Sequence, residues 1–262
     1  MQAKELPIGV FDSGAGGVSV LAQAKICLPH EKFIYYGDSA NAPYGTKSED
    51  EIRDLSLACG DFLFRQGVKM IVIACNTATS ITVQAMREKY NIPIISIEPA
   101  VKPAVEKYPD GKIAVLATPA TLHQKRYFHL LSKLNAAKQV VNIECGSLAE
   151  LVERGNLSDP HIKAYLYEKL LPYRGQNFGG VVVGCTHYSF VSSQIRDVAR
   201  KICGGSCEIF DGMYGTARHI AEVLAEEALL SGSPEEGDVT FFSSGEMGHV
   251  DVFKRFFQNF LK

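Results

Sequence analysis

At 262 residues the chain is long enough for one large domain or two small ones. Its 46% apolar content supports packed cores and excludes disorder; a formal charge of −2 and a pI near 6.4 leave no basic stripe, so no nucleic-acid partner is expected. No uninterrupted apolar run approaches the roughly 20 residues of a membrane span, and Met1-Gln2-Ala3-Lys4-Glu5-Leu6-Pro7 does not read as a signal peptide.

In chain order, strands are predicted over Ile8 to Phe11, Lys32 to Tyr36, Met70 to Ala74, Pro93 to Ile97, Ile113 to Ala117, Val140 to Ile143, Val181 to Gly184, Cys207 to Phe210 and Val239 to Phe242. Between them lie helical patterns such as Val18 to Cys27, Asp50 to Gln66, Thr77 to Tyr90, Leu122 to Leu134 and Thr216 to Leu230. This alternation predicts parallel sheets with helices on both faces. Nine strands are many for one open sheet. A break falls at Ile97-Glu98-Pro99-Ala100, after which Lys112 to Ala117 and Thr118-Pro119-Ala120-Thr121 read as a fresh start. The expectation is an α/β fold of two similar domains with largely parallel sheets, facing each other. The first domain covers 1–98 and 210–262 and carries Cys75; the second covers 99–209 and carries Cys185.

Two segments share one plan. Val68 to Ala74 runs into Cys75-Asn76-Thr77, and Phe178 to Gly184 runs into Cys185-Thr186-His187. In each, an apolar run of the kind found in buried parallel strands ends in a cysteine, small polar residues and a helical pattern. Ligands of open α/β sheets sit beyond the carboxyl ends of the strands, so both thiols are aimed where small molecules bind. A helix N-terminus favours a thiolate. His187 can assist the second thiol, and Asp12, at the end of a neighbouring strand, the first. The other five of the seven cysteines read as free thiols in a reducing compartment, and none has a partner at metal-ligand spacing; no metal site is expected.

Asp12-Ser13-Gly14-Ala15-Gly16-Gly17 comes after the first strand and opens a helix, an arrangement that lets backbone approach an anion. The dinucleotide fingerprint fits in part: Gly14 and Gly16 match and Asp38 stands where a ribose-binding acid belongs, but the third glycine position is Ser19. A module that binds a nucleotide or an acidic metabolite without chemistry is therefore the alternative from another class. It leaves both cysteine turns without a purpose. The polar loop Gly37 to Thr46, which holds Pro43, Tyr44 and Gly45, lies at the same sheet edge, where binding residues collect.

One cysteine with a histidine suggests acyl transfer, but that chemistry needs a single nucleophile. Proton transfer at a stereocentre uses two groups, one removing a proton from one face and the other returning it to the opposite face. The carbanion between them needs donors aimed at its carboxylate, and Ser13, Asn76, Thr77 and Thr186 qualify.

These segments resemble the glutamate racemase family within the aspartate/glutamate racemase superfamily. The likeness runs through Gly9 to Gly17, Tyr36-Gly37-Asp38, Ala42 to Lys47, Ala74 to Ala78, Leu151-Val152-Glu153 and Gly184 to Tyr188, in order over nearly the whole chain. It implies two α/β domains with the active site in the cleft between them and the C-terminal tail returned to the first. It implies interconversion of L- and D-glutamate without pyridoxal phosphate, other cofactor or metal, feeding peptidoglycan in a bacterial cytoplasm, with homodimers common. Cys75 would act on the D-isomer and Cys185 on the L-isomer, supported by Asp12, Glu153 and His187. Asp12, Ser13, Pro43, Tyr44, Gly45, Asn76, Thr77, Thr186 and His187 would hold substrate, with Thr118 and Thr121 near its carboxylates. Glu150 and Glu153 stand at i,i+3 spacing on one helical face, so spacing leaves the auxiliary carboxylate open between them. Aspartate remains an alternative substrate.

The remaining histidines (30, 123, 129, 161, 219, 249) read as surface or capping residues. Phe253, Phe256, Phe257 and Phe260 form a stripe at i,i+3,i+4,i+7 that predicts a core-facing helix.

Overall fold

The computed structural model describes residues 3–261; Met1 and Gln2, the first residues of the segment read for an export signal, and Lys262 lie outside the described residues. The chain divides into two compact units, Met1–Ile97 with Met213–Lys262, and Glu98–Gly212.

The first unit is built on a five-stranded sheet in the order β4-β3-β1-β2-β9, with β1 Ile8–Asp12, β2 Phe33–Gly37, β3 Met70–Ile73, β4 Ile94–Ser96 and β9 Val239–Ser243, all parallel. The second carries a four-stranded parallel sheet, β6-β5-β7-β8, with β5 Lys112–Ala117, β6 Val140–Glu144, β7 Phe178–Val183 and β8 Glu208–Asp211. Every residue of β1 and β3 is buried, as both-face coverage by helices requires. Counted from each unit's first strand, the two orders are the same: fourth, third, first, second. The first sheet then adds β9 beside β2.

Each sheet has a switch point where the strand order reverses, between β1 and β3 and between β5 and β7, and ligands of open α/β sheets bind beyond the carboxyl ends there. The registers also correspond. The N–H of Ala74 donates to the Phe11 carbonyl at 2.9 Å, and that of Gly184 to the Leu116 carbonyl at 2.8 Å. The next residue in each case is the cysteine, so Cys75 and Cys185 occupy equivalent places in the two sheets.

Three local expectations change. The stretch Leu122 to Leu134 is two helices, Pro119–Leu122 and Lys125–Lys133, because Gln124 turns extended at ψ 140° and restarts the helix. The helix expected over Thr216 to Leu230 runs Gly212–Glu226, ending where Ala228 takes a left-handed φ of 54°. The return to the first unit comes after Gly212, not at residue 210, because Phe210 and Asp211 pair with Val182 and Val183 in the second sheet.

The C-terminal segment docks through the aromatic stripe of helix Met247–Leu261. Phe253 and Phe256 are buried, Phe253 lies edge-on to Tyr35 at 5.3 Å, and Phe257 packs on Phe241 of β9. A fully buried ring of this size contributes about 1.5–3 kcal/mol. At the opposite end of the sheet, the buried Lys69 ammonium holds Glu31 at 2.5 Å and the carbonyls of Lys4 and Leu229, so that every donor has an acceptor.

Candidate active site

In the first unit β1 delivers Asp12, fully buried, whose Oδ1 accepts the N–H of Gly14 at 3.0 Å and the hydroxyl of Ser13 at 3.4 Å. Helix Val18–Cys27 starts shortly after, and Gly17 lets it approach the strand ends: a Cβ there would lie 2.5 Å from the Asp12 Cβ and 2.9 Å from the Ala74 Cβ. Gly17→Ala is expected to cost about 1–3 kcal/mol through overpacking and to displace Asp12. Urea denaturation checks the first, and a midpoint equal to wild type would show that the turn relaxes freely.

Cys75 caps helix Asn76–Lys89. Its sulfur accepts the N–H of Ala78 at 3.5 Å and reaches the Ser13 hydroxyl at 3.7 Å. Thiol, hydroxyl and carboxylate thus form one row, Cys75–Ser13–Asp12. Asn76 and Thr77 open the helix and are buried, and the Asn76 Oδ1 has no hydrogen-bond partner. An uncompensated buried acceptor is costly, which suits a position meant to receive a donor from a ligand. In the loop after β2, Pro43 follows a cis peptide bond, Tyr44 is buried and donates to Asp38 Oδ2 at 2.6 Å, and Gly45 is half-buried. Asp38, a candidate ribose-binding acid by its place after the second strand, is instead occupied by Tyr44, Asn41 and Ser244.

In the second unit β7 delivers Cys185. The expected helix N-terminus is absent at this point. A 3-10 segment, Thr186–Val191, takes its place, helix Ser192–Cys203 begins only after it, and Cys185 makes no capping bond. The short turn brings the imidazole of His187 back to the sulfur, Nδ1 to Sγ 3.8 Å. His187 Nε2 meets Glu153 Oε2 at 2.5 Å, Glu153 being the last residue of helix Gly146–Glu153, whereas Glu150 faces solvent. Of the two carboxylates that spacing left open, Glu153 is the one in contact with His187. His187 is buried, and burial opposes its charge. The hydrogen bonds to Cys185 and Glu153 outweigh that and hold its pKa well above the ordinary histidine value.

Tyr188, fully buried, donates to the Cys145 carbonyl at 2.6 Å and so ties this turn to the start of the helix that carries Glu153. Neither residue stood out in the sequence as a pair, since they are 43 positions apart. Thr118 follows β5, caps the short helix Pro119–Leu122 and shares a 3.0 Å hydroxyl contact with Thr121; both are buried, as is Thr186. The structure therefore assembles two clusters. One holds Asp12, Ser13, Cys75, Asn76 and Thr77, with Tyr44 in the same hydrophobic cluster as Cys75. The other holds Cys185, His187 and Glu153, with Thr118 and Thr121 beyond the strand next to β7.

Among the described residues no group of three or more His, Cys, Asp or Glu side chains is placed to hold a metal ion, and no helix is long and apolar enough to cross a membrane. His161 sits on Asp159 and His123 beside Glu144, both exposed.

A family model described as Asp/Glu/Hydantoin racemase matches residues 17–220. The chain belongs to this family. It is thereby an amino-acid racemase, an isomerase. The chain is 46% identical over 244 residues to the glutamate racemase of Clostridium perfringens, covering 93% of this chain and 92% of that protein. Among solved structures, a glutamate racemase isoform from Bacillus anthracis superposes with a TM-score of 0.86 at 30% identity, over 97% of this chain and 95% of that one. The glutamate racemase of Francisella tularensis, solved in complex with D-glutamate, gives 0.82 at 29% identity, over 97% and 94%. These two racemases share the fold of this chain over almost its full length.

Proposed function

We propose that the chain interconverts L- and D-glutamate by a two-base proton transfer in which Cys75 and Cys185 serve opposite faces of one α-carbon. The observation that carries this reading is the equivalence of the two thiols. Each ends the third strand of its sheet at the switch point, and each is backed by a carboxylate through one intermediary, Ser13 with Asp12 or His187 with Glu153.

The thiolate of Cys75 takes the α-proton of D-glutamate; the C–H bond breaks, S–H forms, and the electron pair passes into the α-carboxylate as an enediolate. The thiol of Cys185 then gives its proton to the other face, leaving a thiolate beside the His187 imidazolium. L-glutamate takes the reverse path. Both thiols must change charge once per turnover, and the two backing rows differ accordingly. The His187 imidazolium is the counter-ion of the thiolate that Cys185 becomes, while the buried Asp12 carboxylate, reached through Ser13, is the acceptor for the proton of the Cys75 thiol and so regenerates its thiolate. The vacant Asn76 Oδ1 is an acceptor for the substrate ammonium, and the buried hydroxyls of Ser13, Thr77, Thr118, Thr121 and Thr186 are donors for its carboxylates. Pro43, Tyr44 and Gly45 shape the wall above Cys75. Such chemistry needs no pyridoxal phosphate. Peptidoglycan synthesis is the use for the D-isomer, in a bacterial cytoplasm, and homodimers are the expected assembly.

The test is the loss of circular dichroism of each enantiomer of glutamate and of aspartate on incubation with the purified chain. Turnover of glutamate well above that of aspartate is expected; preference for aspartate would transfer the reading to the shorter acid.

A further inference from the structure

The C-terminal segment reaches past its own packing into the loop that borders Cys75. Ser244 comes directly after β9, beyond the residues that the family model matches. Its backbone N–H donates to the Gly37 carbonyl at 3.1 Å, which fixes it against the end of β2. Its hydroxyl accepts the N–H of Ala40 at 3.1 Å and donates to Asp38 Oδ1 at 2.5 Å, and the Tyr36 hydroxyl shares a hydrogen bond with the Ser244 side chain. Asp38 is buried, and its two oxygens collect Ser244, both contacts of the Asn41 amide at 3.0 and 3.2 Å, and the Tyr44 hydroxyl at 2.6 Å. The Asp38 N–H in turn donates to the Asp12 carbonyl at 3.0 Å.

We propose that Ser244 is a positioning residue for the racemase site, acting through Asp38 to hold Tyr44 and the turn at residues 39–46 against the cluster around Cys75. The proposal rests on the functional reading of Cys75 as one of the two bases. A buried carboxylate keeps its place only while its lone pairs are filled. Ser244 fills one from the end of the last strand in sequence, at the sheet edge, and also satisfies the Ala40 N–H. Removing its hydroxyl leaves Oδ1 with the Asn41 amide alone and frees one end of the turn. The residue itself is exposed, so the change removes no buried volume.

Ser244→Ala is expected to raise KM for both enantiomers roughly ten-fold, the effect of one hydrogen bond to a charged group, with kcat nearly unchanged because ground and transition states lose the contact alike. Ser244→Thr, which keeps a hydroxyl, restores KM. A merely structural role would reduce the folded fraction, lowering kcat at constant KM. In a Tyr44→Phe background, where the far end of the relay is already cut, Ser244→Ala adds little. Unchanged KM in folded Ser244→Ala, a fall confined to kcat, or full multiplicativity with Tyr44→Phe would each overturn the proposal. Absence of turnover in the wild-type chain would overturn the functional reading instead.

Discussion

Cys75→Ser and Cys185→Ser are each expected to abolish racemisation of glutamate, with kcat/KM falling by at least about 10³-fold. A hydroxyl is a far weaker acid than a thiol, and beside Cys185 the His187 imidazole is already bound to Glu153, its pKa held well above the ordinary histidine value by its hydrogen bonds to Cys185 and Glu153. Because enantiomers have equal free energies in water, kcat/KM must fall equally in both directions whichever thiol is replaced. Direction therefore cannot be read from steady-state rates, but it can be read from exchange. In deuterium oxide, Cys185→Ser keeps Cys75 next to Ser13 and Asp12; its thiolate removes the α-proton of D-glutamate and, after exchange of the resulting S–H with solvent, returns deuterium to the same face. Cys75→Ser does the same for L-glutamate. Each variant should label one enantiomer without converting it, the two being complementary. Labelling of both enantiomers by one variant, or near-normal racemisation by either, would refute the two-thiol mechanism.

The parts of this architecture legible in the sequence are those whose determinants are local. β3 and β7 read as strands because Met70–Ile73 and Val181 to Val183 are apolar without alternation, as burial on both faces demands. The helix Val18–Cys27 and the docking stripe at Phe253 and Phe256 are set by glycine punctuation and periodicity. The features that escaped depend on residues far apart in the chain. Spacing put Glu150 and Glu153 on one helical face, and only the approach of His187 from another element separates them. The short 3-10 turn after Cys185 looked like a helix start, because Thr186, His187 and Tyr188 give the same polar signal in either case. Its tighter geometry is what folds the imidazole onto the sulfur and replaces a helix field by a charged side chain. Asp38 sat where a ribose acid would, and its real partners, Tyr44 and Ser244, lie 6 and 206 positions away. Ligand-like signals in loops are ambiguous for this reason: one carboxylate serves equally well as an anchor for a cofactor or for a turn.

Glu153→Gln and His187→Gln are expected to have pH-dependent effects that separate the two halves of the Cys185 row. His187 is buried with a folded pKa above its unfolded value near 6.5. A group shifted upward contributes stability that is complete below the unfolded pKa and is lost as pH rises through the folded pKa. The stability gap between wild type and His187→Gln, measured by urea denaturation, should therefore be larger at about pH 6 than at about pH 9. Removing one partner of a buried pair costs about 3–5 kcal/mol, and the partial exposure of Glu153, 19% at its side chain, places this pair toward the lower end. In Glu153→Gln the imidazole loses one of the contacts that hold its proton, while burial still opposes the charge. Its titration, tracked by proton–nitrogen NMR of the ring, should move to lower pH, and the alkaline limb of kcat/KM should move with it, because Cys185 then loses its neighbouring cation earlier. Racemisation should fall about 10²-fold or more at neutral pH. An unmoved imidazole titration in Glu153→Gln would mean that the carboxylate does not control the proton, and a stability gap that widens with rising pH would mean that His187 is neutral in the folded chain.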